Sequence, residues 1–169
     1  MRTKYLSTRQ TGFTLVELLI VVIILGILAA IVLPQFTSTT DDAKVGALDA
    51  NLSTLRSAVE LYYQQHGAYP SAAGDGTNAA NTAAAFTSQL TQYSTIAGAV
   101  ALTKDATHIY GPYLKKATLP PEPVSSLATV EISTTGTLGM TATGATTGGW
   151  KFDNKTGQLI ANMTVNQGR

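Results

Sequence analysis

Gly12-Phe13-Thr14-Leu15-Val16-Glu17-Leu18-Leu19-Ile20, continuing apolar as far as Leu33, is the stretch from which the rest of the chain is organised. The twenty residues from Thr14 to Leu33 carry one ionisable group, the carboxylate of Glu17. At about 1.5 Å rise per residue a helix of that length covers roughly 30 Å, the thickness of a bilayer's hydrocarbon core. A carboxylate inside such a segment is costly, so Glu17 calls for a functional reason. Arg2, Lys4 and Arg9 precede the run and no acid does. That asymmetry predicts a single-pass span with a cytoplasmic N-terminus and an exported C-terminal bulk.

The chain has 169 residues, enough for one domain and an anchor, and a net charge of +1. Three of the eleven basic residues lie ahead of Gly12, so the remainder sets eight basic against ten acidic residues, a net of −2. No basic face for nucleic acid is expected from that balance. Cysteine is absent. Disulfides, thiolate metal sites and a cysteine nucleophile are thereby excluded, while the compartment is left open.

Pro34 ends the apolar run, and a helix-interior proline predicts a kink if the helix goes on. The periodicity says that it does. Val45, Leu48, Leu52, Leu55, Val59 and Tyr62 recur at spacings of three and four, an apolar stripe along one helical face. Gly67 and Pro70 then stop it. One long helix from Thr14 to about His66 is predicted, apolar all round in its first half and amphipathic in its second. Pairing of the stripe in a coiled coil is the alternative to a sheet supplied by the same chain. Between 68 and 101 a polar loop is expected, with a short helix over Thr82–Tyr93 that carries Phe86, Leu90 and Tyr93 at helical spacing. Alternation predicts strands at Val130 and Ile132, at Leu138 and Met140, at Trp150 and Phe152, and at Leu159, Ala161 and Met163, with a turn over Asp153–Gly157. The fold class is therefore α+β: a long N-terminal helix packed on a small antiparallel sheet of three or four strands.

Little points to catalysis. His66 and His108 are the only histidines, and neither has acid or serine partners at a suggestive spacing. His66 at a helix C-terminus complements the helix dipole. Lys115 and Lys116 read as a solvated pair. Asn51, Asn154 and Asn162 open glycosylation sequons of a kind that recurs by chance in so Thr- and Ser-rich a chain.

Three readings of the N-terminus compete. A secretory signal needs an apolar core of about 7–15 residues and a small-residue cleavage site. Here the core is longer, and Pro34-Gln35-Phe36 follows it. A plain anchor accounts for everything except Glu17. A short basic leader ending in Gly12, then Phe13-Thr14-Leu15-Val16-Glu17 and an apolar run with Gly26 and Pro34, resembles the class III signal of type IV pilins and type II secretion pseudopilins. The resemblance covers residues 1–36.

It implies a pilin-like fold in four parts: a cleaved leader (1–12), a transmembrane and filament-core helix (13–34), its amphipathic continuation (35–67) and a globular head (68–169). A prepilin peptidase would cut between Gly12 and Phe13, and Phe13 would be N-methylated. Glu17 would be the fifth mature residue, which in the family assists methylation and docks new subunits into the filament. Physically, cleavage leaves an ammonium at Phe13. In staggered neighbouring helices the Glu17 carboxylate of one copy pairs with that ammonium on the next, and removing one partner of a buried pair is strongly destabilising. The same carboxylate can also neutralise its own chain's amine. The Gly26–Pro34 segment, built on two weak helix positions, loses helical form in some filaments of the family.

Implied partners are further copies of the chain, minor pseudopilins or pilins, the prepilin peptidase and methylase, an inner-membrane assembly platform, and membrane lipid before assembly. The implied location is the bacterial inner membrane with a periplasmic head, then a periplasmic or surface filament. Gly111-Pro112-Tyr113-Leu114-Lys115-Lys116, followed by Leu119-Pro120, is similar to a segment of type II secretion major pseudopilins, although Pro121-Glu122-Pro123-Val124 stands where that branch often has Asp-Pro-Trp-Gly. The function implied is a structural, non-enzymatic pseudopilin that assists protein export across the outer membrane. A type IV pilin of a surface fibre is the alternative. A non-assembling membrane-anchored binding module is the third choice. No cofactor is expected. Some pseudopilins hold calcium in a C-terminal loop, but Asp153 is the sole acid of the C-terminal hairpin here, and Ca²⁺ takes six to eight oxygens.

Overall fold

A computed structural model describes residues 12–144 and 147–164, with the backbone alone at 31–39. By internal contacts the chain divides into two units, Met1–Asp42 and Ala43–Arg169. Helix α1 (Leu15–His66, 52 residues) contributes to both.

In the first unit no described apolar side chain is buried. From Phe13 to Leu28 the large hydrophobic residues are between 51% and 89% exposed. Among the described residues no helix is long and apolar enough to cross a membrane. Ile31, Val32 and Leu33, the end of the expected span, and the expected kink at Pro34 lie outside the residues whose side chains are described.

The second unit begins with the amphipathic part of α1. Leu48, Leu52, Leu55, Val59 and Tyr62 are at most 3% exposed, as the stripe requires, and Ala58 joins them. Val45, the first residue of the expected stripe, is 38% exposed. Gly67 closes the helix in the left-handed region (φ +71°), and its N–H donates to the Tyr63 carbonyl at 2.8 Å. Helix α2 (Ala83–Thr91) is capped by Thr82, whose hydroxyl accepts the Ala85 N–H at 3.2 Å. Its Phe86 and Leu90 are fully buried. A two-stranded antiparallel ladder, β1 (Tyr93–Ser94) with β2 (Val100–Ala101), follows where a loop was expected.

The Gly111–Lys116 segment acts as a clasp. The amides of Tyr113 and Leu114 both donate to the Leu90 carbonyl at the end of α2 (3.0 and 2.9 Å), and the Tyr113 hydroxyl donates to Gln65 Oε1 on α1 at 2.7 Å. Lys115 and Lys116 are exposed. In the divergent Pro121–Val124 stretch, the buried Glu122 turns its own loop. Its Oε2 accepts the N–H groups of Val124 (3.0 Å) and Ser125 (2.5 Å).

The main sheet has order β3 (Val130–Ser133), β4 (Trp150–Asp153), β5 (Leu159–Ala161). The β4–β5 hairpin is antiparallel, as expected. β3, however, runs parallel to β4, with Val130 beside Trp150 and Ile132 beside Phe152, so the sheet is mixed. The reason lies in the glycines between β3 and β4. The strand expected at Leu138 and Met140 does not form, because Gly136, Gly139 and Gly144 place the backbone in left-handed turns. The chain instead returns to the start of the sheet before β4, as a parallel pair demands.

Alternation then sorts the sheet into two faces. Val130, Ile132, Trp150, Phe152, Leu159 and Ala161 meet the stripe of α1 and the Phe86 and Leu90 side chains of α2 in one core. Phe86 and Phe152 lie 4.7 Å apart between ring centres. The opposite face carries Glu131, Lys151, Asp153 and Ile160, and Gly136, Thr143 and Thr147 are hydrogen-bonded to it. At the outer edge of β5 the Arg56 guanidinium donates twice to the Leu159 carbonyl (3.1 and 2.8 Å). Gly149, where the loop rejoins the sheet, admits no side chain, since a Cβ would stand 2.2 Å from the Leu127 carbonyl oxygen.

Candidate functional site

The residues singled out at the N-terminus meet in one helical turn. Thr14 precedes α1, and Glu17 lies three residues on. Glu17 Oε2 accepts the Thr14 N–H at 2.9 Å and the Thr14 hydroxyl at 2.8 Å, while the Thr14 hydroxyl oxygen lies 3.3 Å from the Glu17 N–H. This is a reciprocal capping box, which satisfies donors that a helix start otherwise leaves bare and sets a carboxylate against the positive end of the helix dipole. Gly12 and Phe13 precede it, both exposed, with Phe13 at 85%.

Glu17, expected opposite an amine, is met within its own chain by Thr14. The signal was present as Thr-x-x-Glu directly before an apolar run. Gly26 lies within α1 with nothing within 4 Å of where a Cβ would stand. It is exposed, and it is not brought to the Gly12–Glu17 turn. Pro34 falls outside the described side chains.

At the other end of the chain, Asp153 is a hub of hydrogen bonds. Oδ1 accepts the N–H groups of Lys155 (2.9 Å) and Thr156 (3.0 Å), and Oδ2 accepts from Ser133 (3.0 Å), Thr135 (2.9 Å) and the Gly136 N–H (3.0 Å). Burial pushes its pKa up, but these donors outweigh burial and hold the carboxyl well below the usual carboxylate range. Both oxygens are engaged by protein donors. Among the described residues no group of three or more His, Asp or Glu side chains is placed to hold a metal ion.

His66 stacks on Tyr62 at 3.8 Å. Its Nδ1 lies 3.0 Å from the Tyr62 carbonyl, and its Nε2 lies 3.0 Å from the Ser94 hydroxyl. Its place is thus structural, pinning the end of α1 to β1. His108 meets Asp105 (2.8 Å) in a turn of its own. Of the sequon asparagines, Asn154 and Asn162 are buried and hydrogen-bonded, and Asn51 donates to the Pro121 carbonyl at 3.0 Å.

Comparison with known proteins places the first of these sites in context. Residues 7–33 match the prokaryotic N-terminal methylation motif. The chain is 46% identical over 63 residues to type II secretion system core protein G of Pseudomonas aeruginosa, covering 37% of this chain and 44% of that protein. It is 46% identical over 66 residues to a fimbrial protein of Neisseria meningitidis, covering 39% of each. It is 47% identical over 53 residues to the narrow pilus major component PilA5 of Thermus thermophilus, covering 31% of this chain and 46% of that protein. The chain thus spans less than half the length of each of these relatives. No solved structure matches it. The chain carries the class III signal of type IV pilins, and its relatives are type IV pilins and the core protein G of type II secretion.

Proposed function

We propose that the chain is a structural, non-enzymatic subunit of a pilus-like filament, best fitted to a type II secretion pseudopilin that assists protein export across the outer membrane. The observation that carries this reading is the start of α1. A capping box anchored on Thr14 and Glu17 opens a helix whose apolar side chains are exposed on every side, directly after Gly12-Phe13. Exposed apolar surface of that extent needs an apolar surrounding, which lipid supplies before assembly and further copies of the helix supply afterwards.

In this reading a prepilin peptidase cuts after Gly12, Phe13 is N-methylated, and Glu17 pairs with the Phe13 ammonium of a neighbour. Gly26 and Pro34 give the helix slack to repack. The head then lies in the periplasm, and the partners are further copies, minor subunits and an inner-membrane assembly platform. No cofactor has a role. The matches to fimbrial and narrow-pilus proteins support the alternative of a surface fibre on the same physical grounds.

Electron microscopy of sheared and periplasmic fractions, combined with mass analysis of the N-terminus, tests the proposal. Glu17→Ala is expected to abolish filaments, with the protein still inserted in the membrane. Filaments in normal yield from that variant, or an intact Met1 in the wild type, would remove its basis.

A further inference from the structure

The outer face of the main sheet brings together an amine, a carboxamide and a carboxylate in an arrangement that the filament reading does not use. Glu131 on β3 is in register with Lys151 on β4, so the two side chains share a face, and Lys151 Nζ lies 3.3 Å from Glu131 Oε1. Lys151 pairs with Ile160 on β5. Asn162, two residues further and bonded through its N–H to the Gly149 carbonyl, falls on the same face as a diagonal neighbour of Lys151. Such neighbours stand about 7–8 Å apart at the backbone, within reach of a lysine. Glu131 touches both partners, since its other oxygen, Oε2, accepts from Asn162 Nδ2 at 3.1 Å. Lys151 and Asn162 are buried, while the Glu131 side chain is 25% exposed.

We propose that Lys151 and Asn162 form an intramolecular isopeptide bond, with Glu131 as the proton carrier. The Asn162 carboxamide is held at both ends. Its Oδ1 accepts the Thr143 N–H at 2.7 Å, a donor placed where negative charge develops on a tetrahedral intermediate. Its Nδ2 faces acceptors only: Glu131 Oε2, Thr147 Oγ1 (2.8 Å) and the Gly144 carbonyl (3.1 Å). A backbone donor on one end and a backbone acceptor on the other fix which end of the amide is oxygen.

Glu131 Oε1 takes a proton from the Lys151 ammonium, and the freed Nζ lone pair attacks Cγ of Asn162. The C–Nδ2 bond breaks as the protonated carboxyl delivers its proton to the leaving nitrogen. Nδ2 departs as ammonia, which takes up the second proton lost from Nζ. The balance is one ammonium and one carboxamide in, one secondary amide and one ammonium ion out. No oxidant, reductant or metal enters. The bond closes a ring across the β4–β5 hairpin beside Thr143 and Thr147, where it would hold the C-terminal end of the head together under load.

The test is the intact mass of the full chain, matured in the cell and extracted in detergent, followed by peptide mapping. The expected mass lies about 17 Da below that of the processed sequence, with one branched peptide joining Lys151 to Asn162. Lys151→Arg, which keeps the ion pair, restores the full mass, and Glu131→Gln removes or slows the loss. Circular dichroism of each variant checks that the head has folded. A wild-type protein of full mass with a native spectrum overturns the proposal. So does a mass deficit that persists in Lys151→Arg, which would mark an asparagine cyclised on its own backbone.

Discussion

The two units handle apolar surface in opposite ways. Leu19 in the first is 58% exposed, whereas Leu55 in the second, on the same helix, is 0% exposed. Both belong to α1, and both are leucines of high helix propensity. The difference is pattern. Around Leu55 the apolar residues fall on one stripe and the chain supplies its own cover. Around Leu19 they fall on every side, and each described one is exposed. Helix formation is thus a local property shared by both units, and burial is a property of what each face finds.

The sharpest way to break this comparison is to remove core mass from the second unit. Phe152→Ala, at a fully buried ring packed on Phe86, is expected to destabilise the head by about 3–5 kcal/mol, read from denaturant unfolding of the full chain in detergent. Leu19→Ala should leave that transition where it was. Equal effects of the two would mean that the first unit is packed after all.

A smaller effect tests the helix start. Thr14→Val removes the cap, and amide exchange in the first turn should quicken roughly fivefold, as loss of an N-cap does. Exchange in the second half of α1 should not move.

The smallest effect concerns pH. Burial pushes the His66 pKa down, an effect that bonding to the backbone of Tyr62 and Thr95 only partly offsets. The unfolded chain therefore takes up the proton first as the medium acidifies. Stability from this group is complete above the ordinary value of 6.5 and is lost as pH falls below it toward the folded value. The melting temperature of the wild type should fall slightly more between pH 7 and pH 5.5 than that of His66→Gln.

Much of the fold was legible. The stripe from Leu48 to Tyr62, the stop at Gly67, the helix around Phe86 and Leu90, and the β4–β5 hairpin all follow from periodicity and turn chemistry. These are local signals that the core reinforces. The direction of β3 was not legible. Alternation gives a strand its faces but says nothing of whether its neighbour runs with it or against it, and the Thr- and Gly-rich segment between them alternates as a strand would. Of the candidate site, Gly12, Phe13 and Glu17 stood out as a motif. Thr14, three residues ahead of Glu17, completes a capping-box pattern that the same motif contains.

By itself the sequence determined where the chain is helical, which half of that helix can be covered by its own domain, and that one carboxylate sits at the helix start. These depend on spacing and residue type alone. Only the tertiary structure decided that β3 lies parallel to β4 and that Glu131, Lys151 and Asn162 meet. Glu131 is separated from the other two by the return loop, and no local rule brings it to them. A sheet face does, because register places side chains from three segments within reach of one another.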